Sequence, residues 1–385
     1  MNRHLHYYFS TWTNESRAWR AGALAVERGY AAKVDYIGYK AAGLTDEQSH
    51  GEGERILRLG AEPSPPGSSR LLRALSLPKW FMACLRKSQV EDASLVVAHS
   101  LAALPVAVAL ARRHHLPLLY DAHELETERA GWSQPIRAIA KAVESRLVRH
   151  CDHIIVVNDS IRDWYLAAYP GINISVVRNV PVKPAVIGTS KLRDTLSLST
   201  EPLIYVYCGA LGADRGLSEL ISAFRGISGD RHLVLIGYGH GKDALTAQAE
   251  GMDNVHFLDA VPQSELVTLL SGADVGVVVL RTAALSYEYA MPNKVFEYAA
   301  AGLGVIVGKG PELQRFARDY PASKSADLTV DSLRAAINSW SRDELDRLRP
   351  EIKAYSPPSW QTEQHRLIEA FDKVIKNGHR RWVRK

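Results

Sequence analysis

Short apolar runs alternate with amphipathic stretches along most of the chain. HYYFS (6–10) is followed by a stretch with helical spacing from about Arg17 to Arg28, then by AAKVDYIGY. LVVAH (95–99), LPLLYDAHE, HIIVVN (153–158) and ISVVRNVP (174–181) continue the alternation, with helical stretches between them. The pattern fades over 183–200 and restarts with LIYVYCG (203–209), LVLIGYG (233–239), VHFLDAV (255–261), DVGVVVL (274–280) and GVIVG (304–308). Near-continuous β-branched runs separated by helices are the signature of parallel sheets covered on both faces. The restart predicts two such doubly wound domains, 1–182 and 201–355, joined by a linker at 183–200. SPPSW (356–360) turns the chain before a last helical stretch, and residues 356–385 are expected to cross back to the first domain as a helix with a basic tail.

Two doubly wound domains in tandem predict a cleft between the carboxyl ends of their strands, where open α/β sheets bind ligands. At 385 residues, with 46% apolar and 23% charged side chains, the composition is that of a globular protein with room for two cores. The three cysteines are widely spaced and odd in number, which indicates neither a disulfide framework nor a zinc site. The N-terminus lacks the apolar core of a signal peptide, and the most apolar window, 95–111, is broken by His99, Ser100 and Pro105. A cytoplasmic protein is expected.

Charge adds a surface to this picture. Basic residues exceed acidic ones over 1–180, the balance reverses over 181–375, and 376–385 holds five basic residues and no acid. The segment SSRLLRALSLPKWFMACLRK (68–87) mixes basic with large apolar residues, and RRWVRK (380–385) is a second basic patch. Both suit the interface of an anionic membrane; the alternative for 68–87 is a solvated helix beside a core-packed one. Nucleic-acid binding is not indicated, since no recognisable module organises the basic residues.

Candidate chemistry concentrates at strand ends. In SYEYAMPNKVFEYAAAG, Pro292 suits a helix start and Asn293 a cap. Lys294 then sits where the positive helix end favours an anion, and Glu297, one turn on, suits vicinal hydroxyls such as those of a ribose. The competing reading is an ordinary capped core helix. CGALGADRGLSELISAF (208–224) is strand, glycine loop and helix, with Gly209, Gly212 and Gly216 admitting close backbone approach and Arg215 within reach of a phosphate. IGYGHGKDAL (236–245) is a second such turn, and neither loop has dinucleotide or Walker spacing. In the first half, Asp121, His123 and Glu124 end a strand. His123 there serves a substrate hydroxyl or a proton transfer, a structural role, or a metal site with its two carboxylate neighbours. Arg178 and Asn179 end another strand on the expected cleft side. No Asp-x-Asp pair suited to a metal–diphosphate complex occurs, so neither metal nor cofactor is expected.

YDAHE, RNVP, YCGALGADRGLSELISAF, LVLIGYG, NVHFLDAVPQSELVTLLSGADVGVV, PNKVFEYAAAG and the late Trp360 stand in an order that resembles the retaining glycosyltransferases of family 4, of GT-B architecture. PNK is similar to the subset that assembles bacterial polysaccharides. The resemblance implies two Rossmann-like domains facing across a cleft and transfer of a sugar from a nucleotide sugar, with retention, to a glycan or lipid-linked acceptor. By it, His123 contacts the donor sugar near the reacting centre, Arg215 holds the diphosphate, and Glu297 binds the ribose. Gly209 and the Gly237–Gly239 turn line the donor site, and Val261 and Pro262 lie beside the base. The family's first motif glutamate is replaced by Tyr289, with Glu288 as a substitute from the next position, and Ala210 stands where many members carry arginine, leaving Lys294 as the second diphosphate contact. The alternatives are a nucleotide-sugar epimerase or hydrolase, or a non-catalytic nucleotide-sugar-binding partner.

Overall fold

The computed structural model describes residues 2–60, 70–183, 188–212, 215–227, 230–281 and 284–383, with side chains of 70–75 and 379–383 excepted. The chain divides into two compact units, Met1–Arg178 with Gln364–Lys385, and Asn179–Glu363.

The first unit is built on eight strands: β1 (Arg3–Tyr8), β2 (Lys33–Tyr39), β3 (Glu47–Gly51), β4 (Glu54–Leu59), β5 (Ala93–His99), β6 (Leu118–Ala122), β7 (His153–Val156) and β8 (Ile174–Val176). Their order is β3-β4-β2-β1-β5-β6-β7-β8. All pairings are parallel except β3 with β4, an antiparallel edge hairpin. That hairpin adds an antiparallel edge to the expected parallel sheet. β3 reads EQSHG and is exposed throughout, so it carries no apolar pattern to announce it.

The second unit holds β9 (Leu203–Cys208), β10 (Arg231–Ile236), β11 (Val255–Leu258), β12 (Val275–Val278), β13 (Gly304–Val307) and β14 (Ser323–Ser325), in the order β11-β10-β9-β12-β13-β14. This is the doubly wound order in which the strand sequence reverses beside the first strand, and ligands gather at the carboxyl ends there. β9, β10, β12 and β13 are buried almost end to end, as strands covered on both faces must be.

The expected linker is not patternless. Lys191–Leu196 is a helix whose Leu192 enters the core of the second unit. Residues 184–187 lie outside the described residues. Arg193 from this helix and Arg342 both grip Asp274, which also accepts from the Ile204 amide at 2.8 Å. The helix Trp360–Val383 starts in the second unit and continues in the first, where Leu367, Ala370, Phe371 and Val374 are buried.

In the segment 68–87, residues 68–69 and the side chains of 70–75 lie outside the described residues. The remainder runs through Pro78 as one helix, Arg70–Lys87. Trp80 and Cys84 are buried, and the Trp80 indole donates to Gly38 O at 2.8 Å. These two face the core, and among the described side chains of the segment only Met82 of the large apolar ones is well exposed. The side chains of 380–385 lie outside the described residues.

Candidate functional site

In the first unit the site grows out of strand register. β1 pairs Tyr8 with His99, and β5 pairs His99 with Asp121. Alternation along β1 puts His4, His6 and Tyr8 on one face, and His123 follows Asp121 by two residues. The side chains meet there. Asp121 Oδ2 lies 3.2 Å from His99 Nδ1 and 3.1 Å from His123 Nε2. His99 Nδ1 is 3.2 Å from His123 Nε2, and His99 Nε2 is 3.0 Å from His6 Nδ1. Arg17, from the helix Ser16–Glu27, donates to both oxygens of Asp121, at 2.8 Å from its closer Nη and 3.1 and 3.2 Å from Nε. Its other Nη donates to Val177 O at 2.8 Å.

Burial alone would raise the pKa of Asp121. The charge of Arg17 and the donors from His123 and His99 outweigh it, and the carboxyl is held well below its usual range. Burial pushes His99 and His6 the other way, towards the neutral ring. His123 keeps 19% of its side chain exposed, while His99 and Asp121 are enclosed. Its ring edge meets Tyr8, centroids 5.2 Å apart.

The metal alternative named Asp121, His123 and Glu124. Glu124 instead pairs with Arg129 at 2.6 Å, and His99 takes its place in a cluster whose ligand atoms lie within 4.8 Å of one another. Arg17 already neutralises the one carboxylate of that cluster, which makes it a poor cation site. Arg178 pairs with Asp159 at 3.2 Å, and Asn179 belongs to the second unit. Glu126, which sequence reasoning passed over, is fully enclosed with Oε1 unpartnered, and burial raises its carboxyl to about 7.

In the second unit, β9 and β10 pair Cys208 with Ile236, so Gly209 and Gly237 leave the sheet side by side. Both have positive φ, 133° and 153°, and a Cβ on Gly237 would sit 1.9 Å from Gly209 O. Only glycine fits both the conformation and the approach. A Cβ on Gly239 would sit 2.5 Å from Leu211 O, and the Arg215 amide donates to Gly212 O at 3.2 Å.

Lys294 lies against this loop. A Cβ on Gly209 would meet its Cε and Nζ at 2.9 Å, and Nζ stands 5.1 Å from the Tyr207 ring centre. Burial lowers its pKa, partly offset by Cys208 and Glu297. The helix is Asn293–Ala300 with Pro292 at the N-cap, so Asn293 is its first residue and not the cap, which corrects the expected boundary; the Pro292 ring, φ −62° and ψ 138°, takes the extended cap position. Glu297 is buried, accepting from Gln263 Nε2 at 2.9 Å and from the Cys208 thiol at 3.6 Å. Burial and this carboxylate push the thiol up to about 12. Gln263 begins the helix Gln263–Leu270, capped by exposed Pro262, while Val261 leans on the core. Arg215 stacks over Tyr287, 5.6 Å from its ring centre. Glu288 is exposed at the end of the short helix Leu285–Glu288.

Gly209, Gly237, Gly239, Lys294 and Glu297 therefore converge at the carboxyl ends of β9 and β10. Arg17, His99, His6 and Gln263 join the two clusters although nothing local in the sequence marks them.

Residues 15–180 match the Glycosyl transferase 4-like domain, and residues 202–338 match Glycosyl transferases group 1. No curated protein matches the chain in sequence. Among solved structures, sucrose-phosphate synthase from Thermosynechococcus elongatus superposes with a TM-score of 0.76 at 18% identity, over 98% of this chain and 99% of that one. HepE from Anabaena, solved with UDP and glucose, gives 0.68 at 14%, over 97% and 98%. WaaG, described as a glycosyltransferase involved in lipopolysaccharide biosynthesis, gives 0.66 at 14%, over 97% and 99%. Identities this low carry the fold alone. With the two domain matches, they make the chain a glycosyl transferase 4-like domain followed by a glycosyl transferases group 1 domain, on the GT-B fold of the glycosyltransferases.

Proposed function

We propose that the protein transfers a sugar from a nucleoside-diphosphate sugar to a glycan or lipid-linked acceptor, with retention of configuration and without a metal, in the assembly of cell-surface polysaccharide. The observation that carries this reading is the Lys294 ammonium packed against Gly209 at the start of a helix, with the Glu297 carboxylate one turn further in. Ammonium and helix end are fixed where a leaving diphosphate gains charge, and Arg215 adds a second cation to the same unit. Fixed charges of this kind lower a barrier because they need no reorganisation during reaction. Glu297 then takes the ribose hydroxyls and displaces the Gln263 amide. UDP is the nucleotide to try first, since HepE was solved with it. The acceptor attacks from the leaving-group face.

No helix among the described residues is long and apolar enough to cross a membrane. A peripheral membrane contact has support in the helix Gln134–Leu147. There Ile136 and Ile139 are 43% and 65% exposed beside Lys141 and Arg146, and the helix's one acid, Glu144, is buried under three tyrosine hydroxyls. A cytoplasmic enzyme working on lipid-linked acceptors would use such a face.

Tyr289 in place of the first motif glutamate favours one other reading, a non-catalytic nucleotide-sugar-binding partner. Melting with UDP-, GDP- and ADP-sugars in EDTA, combined with nucleoside diphosphate release in lipid extract, separates the two. A shift with one nucleotide, lost in Glu297→Ala and Arg215→Ala, is expected, together with release. A shift without release selects the binding partner. No shift with any nucleotide sinks both.

A further inference from the structure

We propose that Asp121, locked by Arg17, acts as a positioning residue that holds His123 in the Nε2–H form, so that the ring offers its Nδ1 lone pair to a substrate hydroxyl. The hydrogen-bond accounting leaves little choice. Asp121 is a carboxylate with acceptors only, and both its oxygens face donors from Arg17. A bare His123 Nε2 placed 3.1 Å from Asp121 Oδ2 would set two lone pairs against each other, so Nε2 carries the hydrogen.

His99 completes the arrangement. Its Nδ1, 3.2 Å from the same oxygen, donates to the stronger acceptor, the carboxylate. Its Nε2 is then an acceptor and takes the hydrogen of His6 Nδ1 at 3.0 Å. His6 Nε2 ends the chain as a buried lone pair with no partner. If His99 were instead protonated on Nε2, its Nδ1 would accept from His123 Nε2, and His123 would still be the Nε2–H form. Both arrangements agree on His123, whose Nδ1 makes no hydrogen bond among the described residues.

The function of this device rests on the sugar-transfer reading; the tautomer itself does not. In protein labelled with 15N-histidine, a long-range proton–nitrogen spectrum at pH 7.5 reports which nitrogen of each ring is protonated, with His123 assigned by signal loss in His123→Gln. His123 is expected as the Nε2–H form in the wild-type protein. Asp121→Asn keeps the shape and reverses the polarity. Arg17 retains the amide oxygen, so the NH2 group turns towards both rings. His123 is then expected to switch to the Nδ1–H form. Turnover should fall roughly tenfold as the acceptor becomes a donor, while the nucleotide-induced melting shift, which reports the other unit, stays. A wild-type His123 protonated on Nδ1 overturns the proposal, and so does an unswitched ring in folded Asp121→Asn. If that variant does not fold, the wild-type spectrum decides alone. Absence of nucleotide binding would end the sugar-transfer reading and leave the tautomer result standing.

Discussion

Acidification from pH 7 to pH 5 is expected to weaken the first unit through His4, by an amount that can be worked out. His4 is 1% exposed, its ring lies between His6 and Phe371, and the Tyr30 backbone offsets only part of the effect of its burial. Burial lowers its pKa from 6.5 to about 4. The unfolded chain therefore takes up a proton through this window that the folded one refuses. Stability attributable to His4 is complete above pH 6.5 and is lost as pH falls towards 4. Between pH 7 and pH 5 the loss is about 2 kcal/mol for this one ring. His153, lowered to about 4 as well, adds a loss of the same size and sign. Glu126 opposes them. Its carboxyl is raised to about 7 by burial, so acidification relieves a penalty of about 2 kcal/mol over the same interval. Total stability therefore mixes terms of both signs, and a single-site comparison is needed to isolate one. His4→Leu keeps the packing and removes the proton. Hydrogen exchange of peptides covering residues 2–39, followed at both pH values, reports opening of the first unit. The wild-type protein is expected to lose about 2 kcal/mol more than His4→Leu on going from pH 7 to pH 5. Equal losses in the two proteins would refute the assignment of His4 as a neutral, desolvated ring.

Two further outcomes test the other surfaces. Gly209→Ala places a methyl group 2.9 Å from Lys294 Nζ at a φ of 133°, and is expected to abolish the nucleotide-induced melting shift at a cost of roughly 1–3 kcal/mol in stability, measured by urea unfolding. Ile139→Asp, on the exposed face of Gln134–Leu147, is expected to leave the melting temperature unchanged and to reduce cosedimentation with phosphatidylglycerol vesicles several-fold.

Much of the fold could be read from the chain because its central strands are buried on both faces. LIYVYC and VGVV carry that burial as polar-free runs dominated by β-branched and aromatic residues. The edge strands escaped for the opposite reason: EQSHG and SKS are polar and partly or fully exposed, and hydrogen bonding to one neighbour leaves no mark on composition. The site divides in the same way. Gly209, Lys294 and Glu297 stood out because glycine loops and helix starts are local features. Arg17 meets Asp121 across 104 positions, and His6 meets His99 across 93, and no local pattern encodes such pairings. Lys294 shows a further limit. Its position at the helix start was legible, but its contact with Gly209 depends on the register of β9 with β10.

The helix Trp360–Val383 has a consequence for the order in which the protein can be made. The core of the first unit is discontinuous in sequence: Phe371 fills against His4 and Tyr30, Tyr30 bonds Asp372 at 2.6 Å, and Asn377 donates to Asp152 O at 3.2 Å. Residues 1–178 emerge from the ribosome long before 364–378 exist. During that interval the surface of His4 and Tyr30 that Phe371 covers stays open while the whole second unit is synthesised. The second unit, continuous from 179 to 363, has no such wait. Nascent chains should thus mature in reverse, the later-made half reaching its final packing first, and the earlier half relying on chaperones until its missing piece arrives.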